Sequence, residues 1–588
     1  MLDAYRTARD SLIDAVRITP WRLTTYTILQ LLLAILPGAQ VVLIRSLIES
    51  GDVLRPLLGL TVVVGSMYPL TQVSNCVGQR MMLRLRLALR VELAHVAARL
   101  SPSRLAEPET VRDLEASQAA THPMSDVAGK PVQLLSAAAT SVVLCVAISS
   151  INLVSGLLVL AALAPTVLAF TLISRMEARG WPRVAEHERK AAYATEQLIQ
   201  QRPGTELAAL GSGWKVADLV ANSRASATWV LDRMVRTALV YELGAALVTV
   251  LLFGGALMAL VHGGAAGGGT GVTGGGSDGA SATGAAAAAA VAGTITGLNA
   301  IRQCGYAFGS IVTAAPQAAI YRRFVRSVPV VPRREAVHQV DSVALDNVTY
   351  RYPGAAGPAL RGVCIEARRG ELVALVGANG AGKSTAINVL VGALAPDCGQ
   401  VLIDGTDANL MTEDERLAHF GLLVQEFGRF EFTLRDTVGL GTPDAADDRA
   451  IRAALSGTFA AELPLDTQLG QQWSGTGISG GQWQRLALAR IRLRNAGVWI
   501  LDEPTSAIDA EAEHEIFTDL RRTSAGRITI VVSHRAWTLR AMDRIYVVDA
   551  GKVVQQGTYP ELIAQPNGRF AQLFADQTPN TSRTRPAL

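Results

Sequence analysis

The sequence predicts an all-α membrane domain of six helices followed by an α/β domain built on a phosphate-binding loop. Three observations carry that expectation. The 588 residues are 49% hydrophobic and 18% charged, with a mean hydropathy of +0.26, and the apolar residues are concentrated before Val325. Within that half lie six apolar stretches, two of them followed by long arginine-rich segments. Beyond it, Gly377–Thr385 reads Gly-Ala-Asn-Gly-Ala-Gly-Lys-Ser-Thr directly after the apolar run Leu372–Val376. A chain of this length exceeds one hydrophobic core, so two or more domains are expected.

Met1–Pro20 sets Leu2, Tyr5, Leu12, Ile13 and Val16 among charged residues. It is too polar for the core of a signal peptide and reads as an amphipathic helix lying on the inner membrane surface. A helix crossing a ~30 Å hydrocarbon layer takes roughly 20 mostly apolar residues. The candidate spans are Trp21–Ile44, Leu57–Val77, Val132–Ser150, Leu153–Ile173, Leu239–Val261 and Ala285–Phe308, the last diluted by Ala285–Ala290. The segment after span two carries eight Lys and Arg residues, Arg80 to Lys130, and that after span four carries ten, Arg175 to Arg236. The opposite turns hold only Arg45 and Arg55. Positive charge stays inside, so both basic segments and both termini are expected in the cytosol, as in a multi-pass protein of the inner (plasma) membrane. The net charge of +4 is thereby explained by topology, without a nucleic-acid partner.

Met82, Leu85, Leu87, Leu89 and Leu93 continue span two as a helix into the cytosol. Short polar connections, Glu107–Leu114 and Gly204–Gly213, interrupt the two cytosolic segments. His262–Gly284 is a Gly/Ser/Thr linker by composition, expected outside the cell. The domain plan is thus 1–20, interfacial helix; 21–327, membrane domain with long cytosolic helical extensions; 328–339, linker; 340–575, nucleotide domain; and 576–588, a disordered polar tail. The five cysteines have no C-x-x-C spacing, and no chemistry is assigned to them.

The glycines of 377–385 let backbone N–H groups curl around phosphate oxygens, at the start of a helix whose dipole favours anions. Gly377, Asn379, Gly380, Gly382 and Thr385 form this cradle, Lys383 reaches the terminal phosphates, and the Ser384 hydroxyl suits Mg²⁺. Val498–Glu503 is an apolar strand ending in two acids. Asp502 suits Mg²⁺, directly or through water, and Glu503 suits a water attacking the γ-phosphate. Gln425 is a neutral ligand for Mg²⁺ and that water, His534 ends another strand within reach of the γ-phosphate, and Tyr352 could stack on a base. Ser479-Gly480-Gly481-Gln482 is a second small-residue loop opening a helix.

This set resembles the ATP-binding cassette (ABC) superfamily. The phosphate loop at 377–385 stands as Walker A, Gln425 as the Q-loop, 478–482 as the signature, Asp502-Glu503 as the end of Walker B, 506–509 as the D-loop and His534 as the H-loop. With six spans ahead of the cassette, the chain is similar to a half-transporter of the type IV, exporter-fold family. The resemblance implies ATP and Mg²⁺ as cofactors and ATP hydrolysis coupled to alternating access. It also implies that Ser479, Gly480, Gly481 and Gln482 complete the ATP site of a second cassette in trans. The partner is then a second copy, giving a homodimer, or another half-transporter. The expected cargo is an exported amphipathic small molecule, peptide or lipid; an importer of the same fold, for instance of a metal chelate, is the alternative. Glu107–Leu114 and Gly204–Gly213 would neighbour the coupling helices. Ile478 and Ile508 replace the usual Leu, and Leu469–Gln472 lacks the acid many exporters carry before the signature.

Two ionisable residues fall inside the spans, Glu242 in the fifth and Arg302 in the sixth, at similar depth near the inner leaflet. An unpaired charge at a helix centre costs on the order of 2.5–3.5 kcal/mol on insertion scales. Either each snorkels independently to the lipid headgroups, or both face a substrate cavity and pair or meet a charged substrate.

Overall fold

The computed structural model describes residues 2–49, 53–149, 153–266, 278–330, 335–442, 444, 446–504, 517–518, 520–522 and 524–575. The D-loop 506–509, the middle of the glycine linker and the polar tail therefore lie wholly or largely outside the described residues. The chain divides into two compact units, Met1–Arg99 with Pro108–Pro329, and Leu100–Glu107 with Val330–Leu588.

The first unit is helical: α1 Leu2–Ile18, α2 Pro20–Glu49 and α3 Leu54–Ala97 precede a short helix of the second unit, α4 Pro102–Leu105. Then follow α5 Pro108–Val127, α6 Lys130–Ser149, α7 Leu153–Ala161, α8 Leu163–Ile199, α9 Gln201–Ala209, α10 Gly213–Ala266 and α11 Asp278–Ser327. Among the described residues, four stretches are long and apolar enough to cross a membrane: Pro20–Leu47, Leu54–Ala97, Pro108–Ala147 and Gly213–Ala256. The expected fourth span is shared between α7 and α8, which part at Ala162, and the alanine-rich sixth lies within α11.

Helix α1 buries a small-residue stripe, Thr7, Ser11 and Ala15, and leaves Tyr5, Ile13 and Val16 exposed. That spacing is one helical face against the bundle and an apolar face away from it. Asp10 Oδ2 of α1 accepts from Arg322 Nη1 of α11 at 2.8 Å, and the Tyr321 hydroxyl donates to Leu89 O and Glu92 Oε2 of α3, both at 2.9 Å. The start of the chain is thereby fastened to the last helix of the unit.

The second unit has two sheets. Strands β1 Ser342–Tyr350, β2 Leu360–Arg368, β4 Cys398–Ile403 and β5 Thr406–Asp407 form an antiparallel sheet, ordered β2-β1-β4-β5. The other sheet, ordered β10-β9-β3-β8-β7-β6, comprises β3 Leu372–Val376, β6 Phe420–Leu423, β7 Val498–Asp502, β8 Ile528–Val532, β9 Arg544–Asp549 and β10 Lys552–Gly557. It is parallel except at β9–β10. Strands β3 and β8 are buried at every position, as expected of parallel strands covered on both faces. The helices are α12 Lys383–Val391, α13 Glu413–Leu417, α14 Leu434–Gly439, α15 Asp448–Leu455 and α16 Gly480–Arg494, with shorter turns beyond.

Ser103 of α4 donates to the carboxylate of Glu413, which opens α13. Leu100–Glu107 thus belongs to the cassette's unit, and the polar connection Glu107–Leu114 that follows forms, for the most part, the first turns of α5.

Candidate nucleotide site

In a parallel sheet, groups placed just past the carboxyl ends of neighbouring strands converge on one crevice. Four adjacent strands do this here. The loop after β3 enters α12, Gln425 follows β6, Asp502 ends β7 and Glu503 follows it, and His534 follows β8. The structure so brings together residues scattered over more than a hundred positions.

The loop requires glycine where the backbone packs most closely. A Cβ on Gly377 would lie 2.1 Å from Val548 O, and Gly382 enters α12 at φ 110°. Lys383 Nζ folds back to donate to Gly377 O at 2.9 Å and Ala378 O at 3.0 Å. Burial lowers the Lys383 pKa, against the pull of Asp502 and Glu503. The lysine can therefore exchange two carbonyl partners for phosphate oxygens, a stronger, charge-assisted contact.

Burial, and then the neighbouring Glu503, raise the pKa of Asp502; Lys383 and a hydrogen bond with Ser384 pull it down. Ser384 and Asp502 thus lie close together, a hydroxyl and a carboxylate suited to a hard dication. A raised folded pKa contributes stability that is complete below the ordinary carboxyl value and is lost as the pH rises through the folded value. The charged form of Asp502 is accordingly the less favourable one in the metal-free fold. Asp502→Asn is expected to raise the thermal midpoint of Mg²⁺-free protein at pH 7 while abolishing turnover; thermal denaturation checks this, and a lowered midpoint would contradict it.

Glu503 is held from four sides. Its backbone sits at φ 48°, left-handed for a non-glycine residue, a strain of about 1–3 kcal/mol that the surroundings must enforce. Its N–H donates to Val532 O at 3.1 Å, and its carbonyl accepts from Gln484 Nε2 at 3.1 Å. The carboxylate lies 3.3 Å from His534 Nε2 and 3.4 Å from Gln425 Nε2. Burial first, and then Lys383, lower the His534 pKa, while Glu503 raises it. Gln425 and His534 are thus joined through Glu503, a link the sequence motifs do not announce. Gln484, two residues beyond the signature, is equally invisible in the motifs.

Tyr352 is 40% exposed. Its hydroxyl lies 3.2 Å from Thr385 Oγ1 and its ring meets Tyr350 edge-on at 5.0 Å, leaving an anchored aromatic at the end of β1. Ser479 caps α16: its hydroxyl accepts from Gln482 N at 3.3 Å, and Gln482 Oε1 accepts from Ser479 N at 2.9 Å. This capping box is readable in the S-x-x-Q spacing. The Ser479–Gln482 side chains therefore serve their own turn, and Gly480 and Gly481 begin the helix. Where the acid before the signature is missing, a Cβ on Gly470 would lie 2.2 Å from Glu431 Oε2, so a carboxylate reaches that turn from another segment.

In the helical unit, Glu242 and Arg302 line one cavity of about 710 Å³ between α8, α10 and α11. No ion pair joins them among the described residues. The sequence singled out the two charges; the structure brings them to one cavity without pairing them.

A protein-family model described as ABC transporter matches residues 360–506. The chain is 40% identical over 233 residues to an ATP-dependent lipid A-core flippase of Bordetella pertussis, covering 39% of this chain and 37% of that one. It is 38% identical over 275 residues to a β-(1→2)glucan export ATP-binding/permease protein of Rhodopseudomonas palustris, 45% of each chain. A cyclolysin secretion/processing ATP-binding protein of Bordetella pertussis is 39% identical over 241 residues, 40% of this chain and 33% of that one. The chain thus spans less than half the length of these curated relatives. A bacterial Atm1-family ABC exporter with ATP bound superposes over 96% of this chain and all of that one, with a TM-score of 0.76 at 23% identity. Residues 360–506 thus carry an ABC transporter cassette, and the chain as a whole shares the fold of that exporter structure, an α/β cassette behind a helical domain.

Proposed function

We propose that the chain is one half of an ATP-driven exporter of an amphipathic small molecule, peptide or lipid, working as a homodimer with its cassette and both termini in the cytosol. The observation that carries this reading is the Gln425–Glu503–His534 cluster beside the Lys383 loop: a complete hydrolytic set rather than a vestige. The residues fit ATP and Mg²⁺. The Gly377 cradle has no room for a Cβ, Lys383 is held at the loop, and Ser384 with Asp502 forms an oxygen pair for the cation. Bound Mg²⁺ would supply charge neutralisation at the phosphates, shared by Ser384, Gln425 and Asp502.

The protein's own residues then divide the work. Lys383 and the loop N–H groups hold the terminal phosphates, Tyr352 faces the base, and Glu503 takes the proton of the attacking water while Gln425 and His534 orient its carboxylate. Gly480 and Gly481, half-buried at the start of α16, present N–H groups to the nucleotide of the second chain. ATP so favours the closed pair of cassettes by its differential affinity for that state. The flippase, glucan exporter and secretion relatives favour export over uptake. ATP-dependent accumulation of cargo in inside-out but not right-side-out vesicles tests the direction; the reverse asymmetry would make the protein an importer.

A further inference from the structure

Helix α10 presents Glu242, Ala245, Ala246, Thr249 and Val250 to the cavity of the helical unit, the i, i+3, i+4, i+7, i+8 spacing of one helical face. Phe170 of α8 and Arg302, Gln303 and Tyr306 of α11 close it. A Cβ on Gly305 would meet the Phe170 ring at 2.3 Å, so glycine there is what lets α11 approach the ring closely. The Tyr306 ring is braced by the Lys130 ammonium, 4.6 Å from its centroid.

Among the described residues, three groups in this cavity lack partners. Glu242 and Arg302 carry opposite charges inside apolar stretches and make no ion pair among the described residues. Thr249 is 4% exposed, and its hydroxyl has no hydrogen-bond partner among the described residues. A neutral ligand would leave both charges unmatched, and a singly charged one would leave one unmatched. A ligand bearing both signs matches both charges at once. The aromatic, alanine and valine walls suit an apolar body beside those charges, and about 710 Å³ lies within the usual range for small-ligand sites.

We propose that this cavity binds a zwitterionic amphiphile, with Glu242 receiving its ammonium group, Arg302 its anionic group and Thr249 a polar atom between them. This rests on the transport reading above and names its substrate class. A short peptide with free termini and a phosphoethanolamine lipid share this chemistry.

The test is equilibrium binding to the full chain in lipid nanodiscs without nucleotide, so that a defect in ATP hydrolysis does not affect it. One arm uses an apolar tripeptide in four forms: free, N-acetylated, C-amidated and doubly blocked. The other compares lysophosphatidylethanolamine with its N-acetyl derivative. The free form should bind about tenfold more tightly than either singly blocked form, as expected for one charge-assisted contact. Glu242→Gln should bind the free and N-acetylated forms equally yet still prefer a free carboxylate. Arg302→Gln should bind free and amidated forms equally yet still prefer a free ammonium. Each preserved preference reports an intact cavity, and Thr249→Val should weaken every form alike. The pattern in either arm supports the proposal and identifies the source. Equal binding of all forms, binding of none, or preferences unchanged in both glutamine variants would overturn it.

Discussion

Glu503→Gln is expected to lower ATP turnover by about 10²–10⁴-fold, the range for removing a positioned general base, while ATP binding persists. The substitution keeps the shape of a side chain fixed between His534 at 3.3 Å and Gln425 at 3.4 Å. It also leaves the left-handed backbone and its bonds to Val532 and Gln484 in place. What is lost is the carboxylate's capacity to take a proton. The variant should therefore accumulate as an ATP-bound closed dimer, detectable by nucleotide retention. Near-normal turnover would remove Glu503 from the catalytic role and pass it to another group.

Lys383→Ala should fail earlier, at nucleotide binding. The ammonium now engages Gly377 O and Ala378 O, and alanine leaves both carbonyls without that donor as well as the phosphates without their cation. Affinity should fall by roughly tenfold or more, the equivalent of one lost charge-assisted hydrogen bond, with turnover falling further because the γ-phosphate is no longer positioned. Fluorescent-nucleotide titration separates the two effects. Unchanged affinity would mean that the loop backbone alone holds the phosphates.

The candidate nucleotide site is legible in the sequence because the chemistry it would perform is local. Phosphate binding needs glycines and a lysine at fixed spacing, and apolar strands announce where the acids are delivered. Links between distant segments were not legible: nothing in the order of residues places Gln425 and His534 on opposite oxygens of Glu503, or Glu431 beside Gly470. The helical domain shows the converse. Hydropathy marks where helices run, and two charges, Glu242 and Arg302, stand out against apolar neighbours. Which faces meet depends on packing details such as Gly305 under Phe170. The short helix α4, which belongs to the cassette's unit, did not show in the sequence because it is a single turn with too little periodicity.

The central claim is that two chains share each ATP site, and mixed dimers test it most directly. Ser479→Arg fills the start of α16 with a bulky cation and breaks the capping box, disabling every signature loop. Lys383→Ala disables every phosphate loop. Each variant alone should be nearly inactive. In a dimer of one with the other, the phosphate loop of the signature variant faces the intact Ser479 turn of its partner, restoring one whole site. ATPase activity of purified, differently tagged mixed dimers should then rise well above either parent. Confirmed mixed dimers with no more activity than the parents would contradict a site shared between chains.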